Sequence, residues 1–421
     1  MTRLRALAVL TTAISVAGCG GVQPSSSPGP SSLASPPSAA ATASARPPAE
    51  SPIGTASPTA SAALDILWGE QVLPADIRGL AADGDRFVAV GNTNEGQVAW
   101  TSTDGATWDQ HSVPLRTDLP DESDGFPGDA NVGASMGQLV RLDDTLYSFG
   151  HFSFMDFFRP VGWRWTDGGA WEPITSPSPF YEAGSVRDVV AGDGVLIAAR
   201  LGVALSEFGA DSEVWVWNAA TSWVQSDLSI VEPERVVVNH LAWSDGEFLA
   251  SGVVVPVQAA TDAVWEPRMW RSADGHAWSQ IEPPSEDSGG VCALEADTAG
   301  GFVAMGSSSE ETVVWRWSDG NWSAVPLVGS PAHPDRSTNP LFVGRCALVS
   351  LSDRTVAILA GEDDTRAWWS TDGASWVGGE TLAVDGATHI AGFGSTLVLA
   401  RGESGPTGSL VETVVMTGSI R

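Results

Sequence analysis

Trp100-Thr-Ser-Thr-Asp104-Gly105-Ala-Thr-Trp108 returns along the chain as Trp270-Arg-Ser-Ala-Asp274-Gly275-His-Ala-Trp278 and Trp368-Trp-Ser-Thr-Asp372-Gly373-Ala-Ser-Trp376. Two further copies keep the turn: Trp163-Arg-Trp-Thr-Asp167-Gly168-Gly-Ala-Trp171 and Trp315-Arg-Trp-Ser-Asp319-Gly320-Asn-Trp322. A degenerate copy keeps Trp215, Trp217 and Trp223. The leading tryptophans are 63, 52, 55, 45 and 53 residues apart, room for a four-stranded sheet with variable loops. Each Asp-Gly between β-rich runs reads as a tight hairpin turn, since Gly tolerates positive φ and Asp can bond its own backbone.

A second hairpin signal lies upstream of most of these turns, as in Asp83-Gly-Asp-Arg-Phe-Val-Ala-Val-Gly91 and Ser244-Asp-Gly-Glu-Phe-Leu-Ala-Ser-Gly252. Each unit is therefore strand, turn, strand, loop, strand, Asp-Gly turn, strand, which is the blade of a β-propeller. After the sixth unit, 387–400 supplies two strands and 410–417 a third. The missing fourth is available at the other end, where Leu64-Asp-Ile-Leu-Trp68-Gly-Glu-Gln-Val-Leu-Pro74 has the form of Trp108-Asp-Gln-His-Ser-Val-Pro114. Closure by that strand would remove the exposed sheet edges. The fold predicted is all-β, a seven-bladed propeller over 63–421 whose last blade is completed by the N-terminal strand.

Glycine at 46 and proline at 27 punctuate the chain too often for long helices, and helical periodicity is confined to the extreme N-terminus. There, Arg3 and Arg5 precede an apolar run from Ala6 to Ala17, too short to span a bilayer. Val16-Ala17-Gly18-Cys19 resembles a bacterial lipoprotein signal, which implies cleavage of 1–18 and a lipidated Cys19. Residues 19–62 are mostly Ser, Pro, Ala, Thr and Gly, a composition that cannot build a core and reads as a tether. The expected location is outside the cytoplasm, held to the bacterial cell membrane by the acylated cysteine.

The formal charge of −30 becomes −32 when Arg3 and Arg5 leave with the signal, and argues against nucleic acid as a partner. Besides Cys19, only Cys292 and Cys346 are present, each ten residues before the matching position of its next strand, Phe302 and Val356. In an exported protein this pair suggests a disulfide between neighbouring blades, provided the Cα atoms come within about 7 Å.

The repeated turn resembles the Asp-box of sialidases and related BNR-repeat propellers, in five of six turns, although here Gly follows Asp directly. The resemblance implies a structural role for Asp104, Trp108, Asp167, Trp171, Asp274, Trp278, Asp319, Trp322, Asp372 and Trp376. The tryptophan should wedge between blades and the aspartate accept amides of its own turn. A sialidase would also need three arginines on the substrate carboxylate, a tyrosine nucleophile activated by Glu and an Asp acid/base. This chain has only Tyr147 and Tyr181, and the family's arginine-isoleucine-proline signature is absent.

Two loops attract attention on one face. His151-Phe-Ser-Phe-Met-Asp-Phe-Phe-Arg159 is unusually aromatic, and it nominates Phe154, Phe157, Phe158 and Arg159, with Tyr181, as ligand or partner contacts. It could equally fold back as a lid over the channel. The acidic stretch 116–129, with Asp118, Asp121, Glu122, Asp124 and Asp129, fits no calcium-loop template, so a solvated turn is favoured over a Ca²⁺ site. The six histidines show no metal-ligand spacing, and no metal or cofactor is expected. His240 and His389 fall eight residues before Phe248 and Leu397, equivalent inner-strand positions that both approach the central channel. Gly133-Ala-Ser135-Met-Gly137 spells a nucleophile elbow but opens a β-strand, the wrong setting for one.

The expected function is a monomeric, membrane-anchored binding or scaffolding module for a protein or glycan ligand, without catalysis. A sialidase-like glycoside hydrolase and an envelope assembly factor are the alternatives.

Overall fold

A computed structural model describes residues 66–420, except 94, 115–133, 155–156, 167–168, 175–177, 182–183, 203–211, 219–221, 229–234, 256–265, 285–289, 308–310, 331–345, 361–364, 383–388 and 405–409. The chain opens with β1 (Ile66–Leu73). Blade 1 follows as β2 (Asp76–Asp83), β3 (Arg86–Thr93), β4 (Gly96–Ser102) and β5 (Asp109–Ser112). Blade 2 is β6 (Ala134–Leu142), β7 (Thr145–Phe154), β8 (Phe157–Trp165) and β9 (Trp171–Pro173). Blade 3 is β10 (Ser185–Gly192), β11 (Val195–Leu201), β12 (Ser212–Trp217) and β13 (Val224–Gln225). Blade 4 is β14 (Arg235–Ser244), β15 (Glu247–Val255), β16 (Glu266–Ser272) and β17 (Ser279–Ile281). Blade 5 is β18 (Val291–Ala296), β19 (Phe302–Ser307), β20 (Thr312–Ser318) and β21 (Asn321–Pro326). Blade 6 is β22 (Cys346–Ser350), β23 (Thr355–Ala360), β24 (Thr365–Ser370) and β25 (Val377–Leu382). Blade 7 is β26 (His389–Phe393), β27 (Thr396–Ser404) and β28 (Leu410–Ile420), completed by β1. The protein is a seven-bladed β-propeller.

The closing strand pairs antiparallel to β28 from Ile66↔Ile420 to Leu73↔Thr413. Thr413 then ties blade 7 to blade 1, its hydroxyl donating to the Ala75 carbonyl at 2.7 Å and accepting the Ile77 amide at 3.2 Å. Every second strand is covered by neighbouring blades on both faces, so β19 (Phe-Val-Ala-Met-Gly-Ser) and β23 (Thr-Val-Ala-Ile-Leu-Ala) are buried at every residue. Strands buried on two faces read as unbroken apolar runs instead of alternating ones. The outermost strands are short and mostly exposed, as in β5 and β17. Among the described residues, seven core clusters each lie between two adjacent blades, and a small eighth joins Val237 and Val253 of blade 4 to Leu201 of blade 3.

The recurrent turns hold these seams together. In 102–108 the amides of Thr107 and Ala106 donate to Asp104 Oδ1 at 2.7 and 2.8 Å, and they hold that carboxyl below its ordinary range. Ser102 Oγ accepts the Gly105 amide at 2.7 Å, and the Trp108 indole donates to the Gly105 carbonyl at 2.8 Å. The same bonds recur around Asp274 and Trp278, and around Asp372 and Trp376. Trp108 packs into the seam between blades 7 and 1, Trp278 between blades 3 and 4, and Trp376 against that of blades 5 and 6.

These three turns are six-residue loops and not the tight hairpins that Asp-Gly suggests. Among the described turns the fifth unit has that hairpin: Ser318 pairs with Asn321 across Asp319 and Gly320, both at positive φ (53° and 78°), and Trp322 stands opposite Trp317 in the ladder. It is one residue shorter between Gly and Trp, which leaves too little chain for the larger loop. Asp167 lies outside the described residues, while Trp171 is buried against Trp165.

Candidate functional site

A lattice irregularity repeated around the ring builds the central channel. The innermost strands of blades 1 to 5 each slip register against their partner near the start: between Ile77 and Gly79, Ser135 and Gln138, Val186 and Asp188, Val238 and His240, and Val291 and Ala293. A bulge re-aims the side chains beside it. Here the skipped or flanking residues include Arg187, Asp188, Asn239, His240 and Cys292, all of which line one cavity of about 620 Å³ to which all seven inner strands contribute. Ala134 of β6 pairs with Phe152, so the bulged ends lie on the face that carries the hairpin of β7 and β8.

Three consecutive blades concentrate charge in this cavity. Blade 3 offers Arg187 and Asp188, blade 4 His240, and blade 5 Glu295. Asp188 bridges two blades: its Oδ2 accepts the Leu241 amide at 2.7 Å, while Oδ1 accepts its neighbour Val189 at 2.8 Å. These side chains face a narrow channel surrounded by protein, where a charge is poorly solvated. Burial therefore pushes the Asp188 carboxyl up to about 7 against two amide bonds that favour its charged form. Burial, with the nearby Asp188 charge, likewise pushes Glu295 up to about 7. The Asp188 charge makes ionisation of Glu295 harder still, so the two carboxyls titrate as a coupled pair. Burial and the Arg187 cation bring His240 down to about 4. His389, which also lines the cavity, falls to about 4 through burial and the cation of Arg78.

Cys292 and Cys346 meet in the wall of the same cavity as a disulfide with its Cα atoms 5.9 Å apart, joining blades 5 and 6. The bulge is what brings them together: Cys292 is the residue skipped in its ladder, whereas Cys346 is paired with Leu359.

Other residues nominated from the sequence are dispersed. The segment 151–159 is not a free loop or lid but the end of the β7–β8 hairpin, with Phe154 paired opposite Phe157. The side chains of Phe154 and Phe157 lie outside the described residues. Phe158 is 40% exposed, with its ring 5.6 Å from that of His151. Arg159 and Tyr181 do meet, although through the backbone: Arg159 Nε donates to the Tyr181 carbonyl at 2.5 Å.

Tyr181 itself is a core residue and not a surface contact, since its ring packs against Phe180 and its hydroxyl accepts the Trp223 indole at 3.1 Å. A three-residue 3-10 turn, Pro179–Tyr181, places it there, and Arg200 holds that turn by donating to the Pro179 and Phe180 carbonyls at 2.8 and 2.9 Å. Tyr147 stacks near Phe149 and Trp217. Neither tyrosine lines the cavity.

The acidic stretch 116–129, Cys19 and the tether lie outside the described residues. Among the described residues no group of three or more His, Cys, Asp and Glu could hold a metal ion, and no helix is long and apolar enough to cross a membrane.

Sequence reasoning placed His240 and His389 in the channel and overlooked Asp188. The signal was available, because Asp188 precedes Leu196 by the same eight residues. Glu295 carried no such signal, because the ladder sets Ala293 at the position of Asp188 and His240, and Glu295 lies two residues further along its strand.

No family model matches this chain, and no curated protein does. Among solved structures it is similar to a polysaccharide lyase, at a TM-score of 0.50 and 8% identity over 82% of this chain and 90% of that one. It is equally similar to a lectin from Burkholderia pseudomallei, at 0.50 and 12% identity over 81% and 95%. A Trypanosoma rangeli sialidase in complex with the inhibitor DANA scores 0.44 at 10% identity, over 82% of this chain and 55% of that one. At these identities the likeness is one of fold, on which many unrelated activities are built.

Proposed function

We propose that this chain is a lipid-anchored extracytoplasmic propeller that works as a non-catalytic binding module and takes its ligand into the central channel. The observation that carries the reading is the polar cavity in which the inner strands gather Arg187, Asp188, His240 and Glu295. A concave site of some hundreds of Å³ with a few convergent, perturbed polar groups is what small-ligand recognition requires. The Asp-box-like turns support a structural reading of the repeats, because their bonds are spent within the turn and their rings within the seams. Against the sialidase-like alternative, neither tyrosine lines the cavity, the Tyr181 hydroxyl accepts the Trp223 indole, and Arg159 and Arg200 serve backbone carbonyls at 179–181.

The test pairs binding with turnover. The purified chain should leave a sialoside reporter intact, and a bound probe should lose affinity when the channel is filled by Asn239→Trp. Hydrolysis that disappears in Tyr181→Phe would replace this reading with the glycosidase.

A further inference from the structure

The cavity contains unsatisfied groups of two opposite kinds. Arg187 Nε and His240 Nε2 are both out of reach of solvent and have no hydrogen-bond partner. Buried donors without acceptors are costly and rare; Arg187 Nε–H is one, and His240 Nε2 is a second in its Nε2–H tautomer, so the two together would be met by an acceptor supplied from outside. Arg187 also brings a positive charge to the neutral His240 ring, which makes an anionic acceptor the natural one. Two carboxyls make the reverse demand, Asp188 beside Arg187 on β10 and Glu295 on β18. Asp188 and Glu295 face the same space, and their known bonds are single backbone amides, from Leu241 and Val189 to Asp188 and from Ala296 to Glu295. Each carboxyl therefore keeps lone pairs for a donor, and a cation between them would relieve their repulsion.

We propose that the cavity binds a small zwitterion of the size of an amino acid or short peptide, its carboxylate received by Arg187 and His240 and its ammonium by Glu295 and Asp188. This rests on the channel being the binding site. A simple anion would meet the two carboxyls, and a simple cation would meet Arg187, so neither matches both halves of the wall. The ligand class follows from the presence of both signs of charge among the blade 3, 4 and 5 residues that line one space of about 620 Å³.

Calorimetric titration of the purified full chain tests this with four probes: alanyl-alanine, its N-acetyl form without the ammonium, its C-terminal amide without the carboxylate, and an unbranched neutral oligosaccharide. The expected result is binding of the free dipeptide, with each blocked form weaker by about tenfold or more. Arg187→Gln should abolish the preference for the free carboxylate, and Glu295→Gln the preference for the free ammonium, each leaving the other preference in place. Both substitutions remove a poorly solvated charge, and a cooperative melt will confirm that the variants are folded; Arg187→Lys, which keeps the charge, should retain part of the carboxylate preference. Equal binding of the three dipeptide forms, or none of any, overturns the inference. If the oligosaccharide alone binds, and loses affinity in Asn239→Trp, the channel remains the binding site and only the zwitterion is wrong.

Discussion

Gly275 carries two constraints that can be separated by substitution. It sits at φ 76°, and a Cβ there would lie 2.3 Å from Ile197 Cδ1 of the preceding blade. Gly194 has nearly the same φ, 74°, and open space around it. Gly194→Ala should therefore cost only the left-handed backbone strain of about 1–2 kcal/mol. Gly275→Ala adds a clash in the seam and should cost about 3–4 kcal/mol. Denaturant melts measure both, and equal losses would show that the turn does not press on its neighbour. Trp108→Ala removes a ring from the blade 7 and blade 1 seam and should cost about 3–5 kcal/mol. At this scale the sequence was readable because Asp, Gly and Trp at fixed spacing act within one turn. The exception, Asp319, shows its limit: one residue less turned a capped loop into a two-residue hairpin.

Elements were legible where strands alternate with turn residues, and the shared blade followed from counting them. Removing β1 should leave β28 as an open edge and lower the melting temperature and solubility together; an unchanged melt would mean that the ring closes without it. The bulges were illegible, because a one-residue slip in a ladder alters pairing without altering composition. They nevertheless decide the site, for they set Asp188 and His240 on the channel wall and Cys292 against Cys346. The disulfide spans 54 residues of chain, for which loop-closure entropy gives a stabilisation of about 4 kcal/mol. Cys292→Ser with Cys346→Ser should lower the unfolding free energy by up to about that amount, and a variant as stable as the parent would remove the staple from the account.

For the whole molecule, the buried groups oppose one another with pH. Asp188 and Glu295 titrate at about 7 in the fold against 3.8 and 4.5 ordinarily, so the folded chain binds more protons and their contribution to stability falls as pH rises through that window. His240 and His389 titrate at about 4 against 6.5, so the unfolded chain binds more protons and their contribution rises with pH up to 6.5. The cations beside these histidines are Arg187 for His240 and Arg78 for His389, and burial lowers Arg187 from its ordinary value. The two slopes offset each other in the parent. Asp188→Asn with Glu295→Gln should expose the histidine slope, with melting temperature climbing between about pH 4.5 and 6.5 and exceeding the parent above about 7. A flat profile in that variant would contradict the burial of the histidines.

Anchoring is a separate property: Cys19→Ser should move the folded propeller out of the membrane fraction, and retention after a salt wash would indicate another attachment. The central claim is that the channel, and no outer surface, receives the ligand without transforming it. The measurement that reaches it most directly is titration of the probe panel into the parent and into Asn239→Trp, with recovery of each probe afterwards. The account predicts that any probe bound by the parent is recovered unchanged and binds the filled channel at least about tenfold more weakly at equal melting temperature. Undiminished affinity in Asn239→Trp, or a cleaved probe, would contradict it.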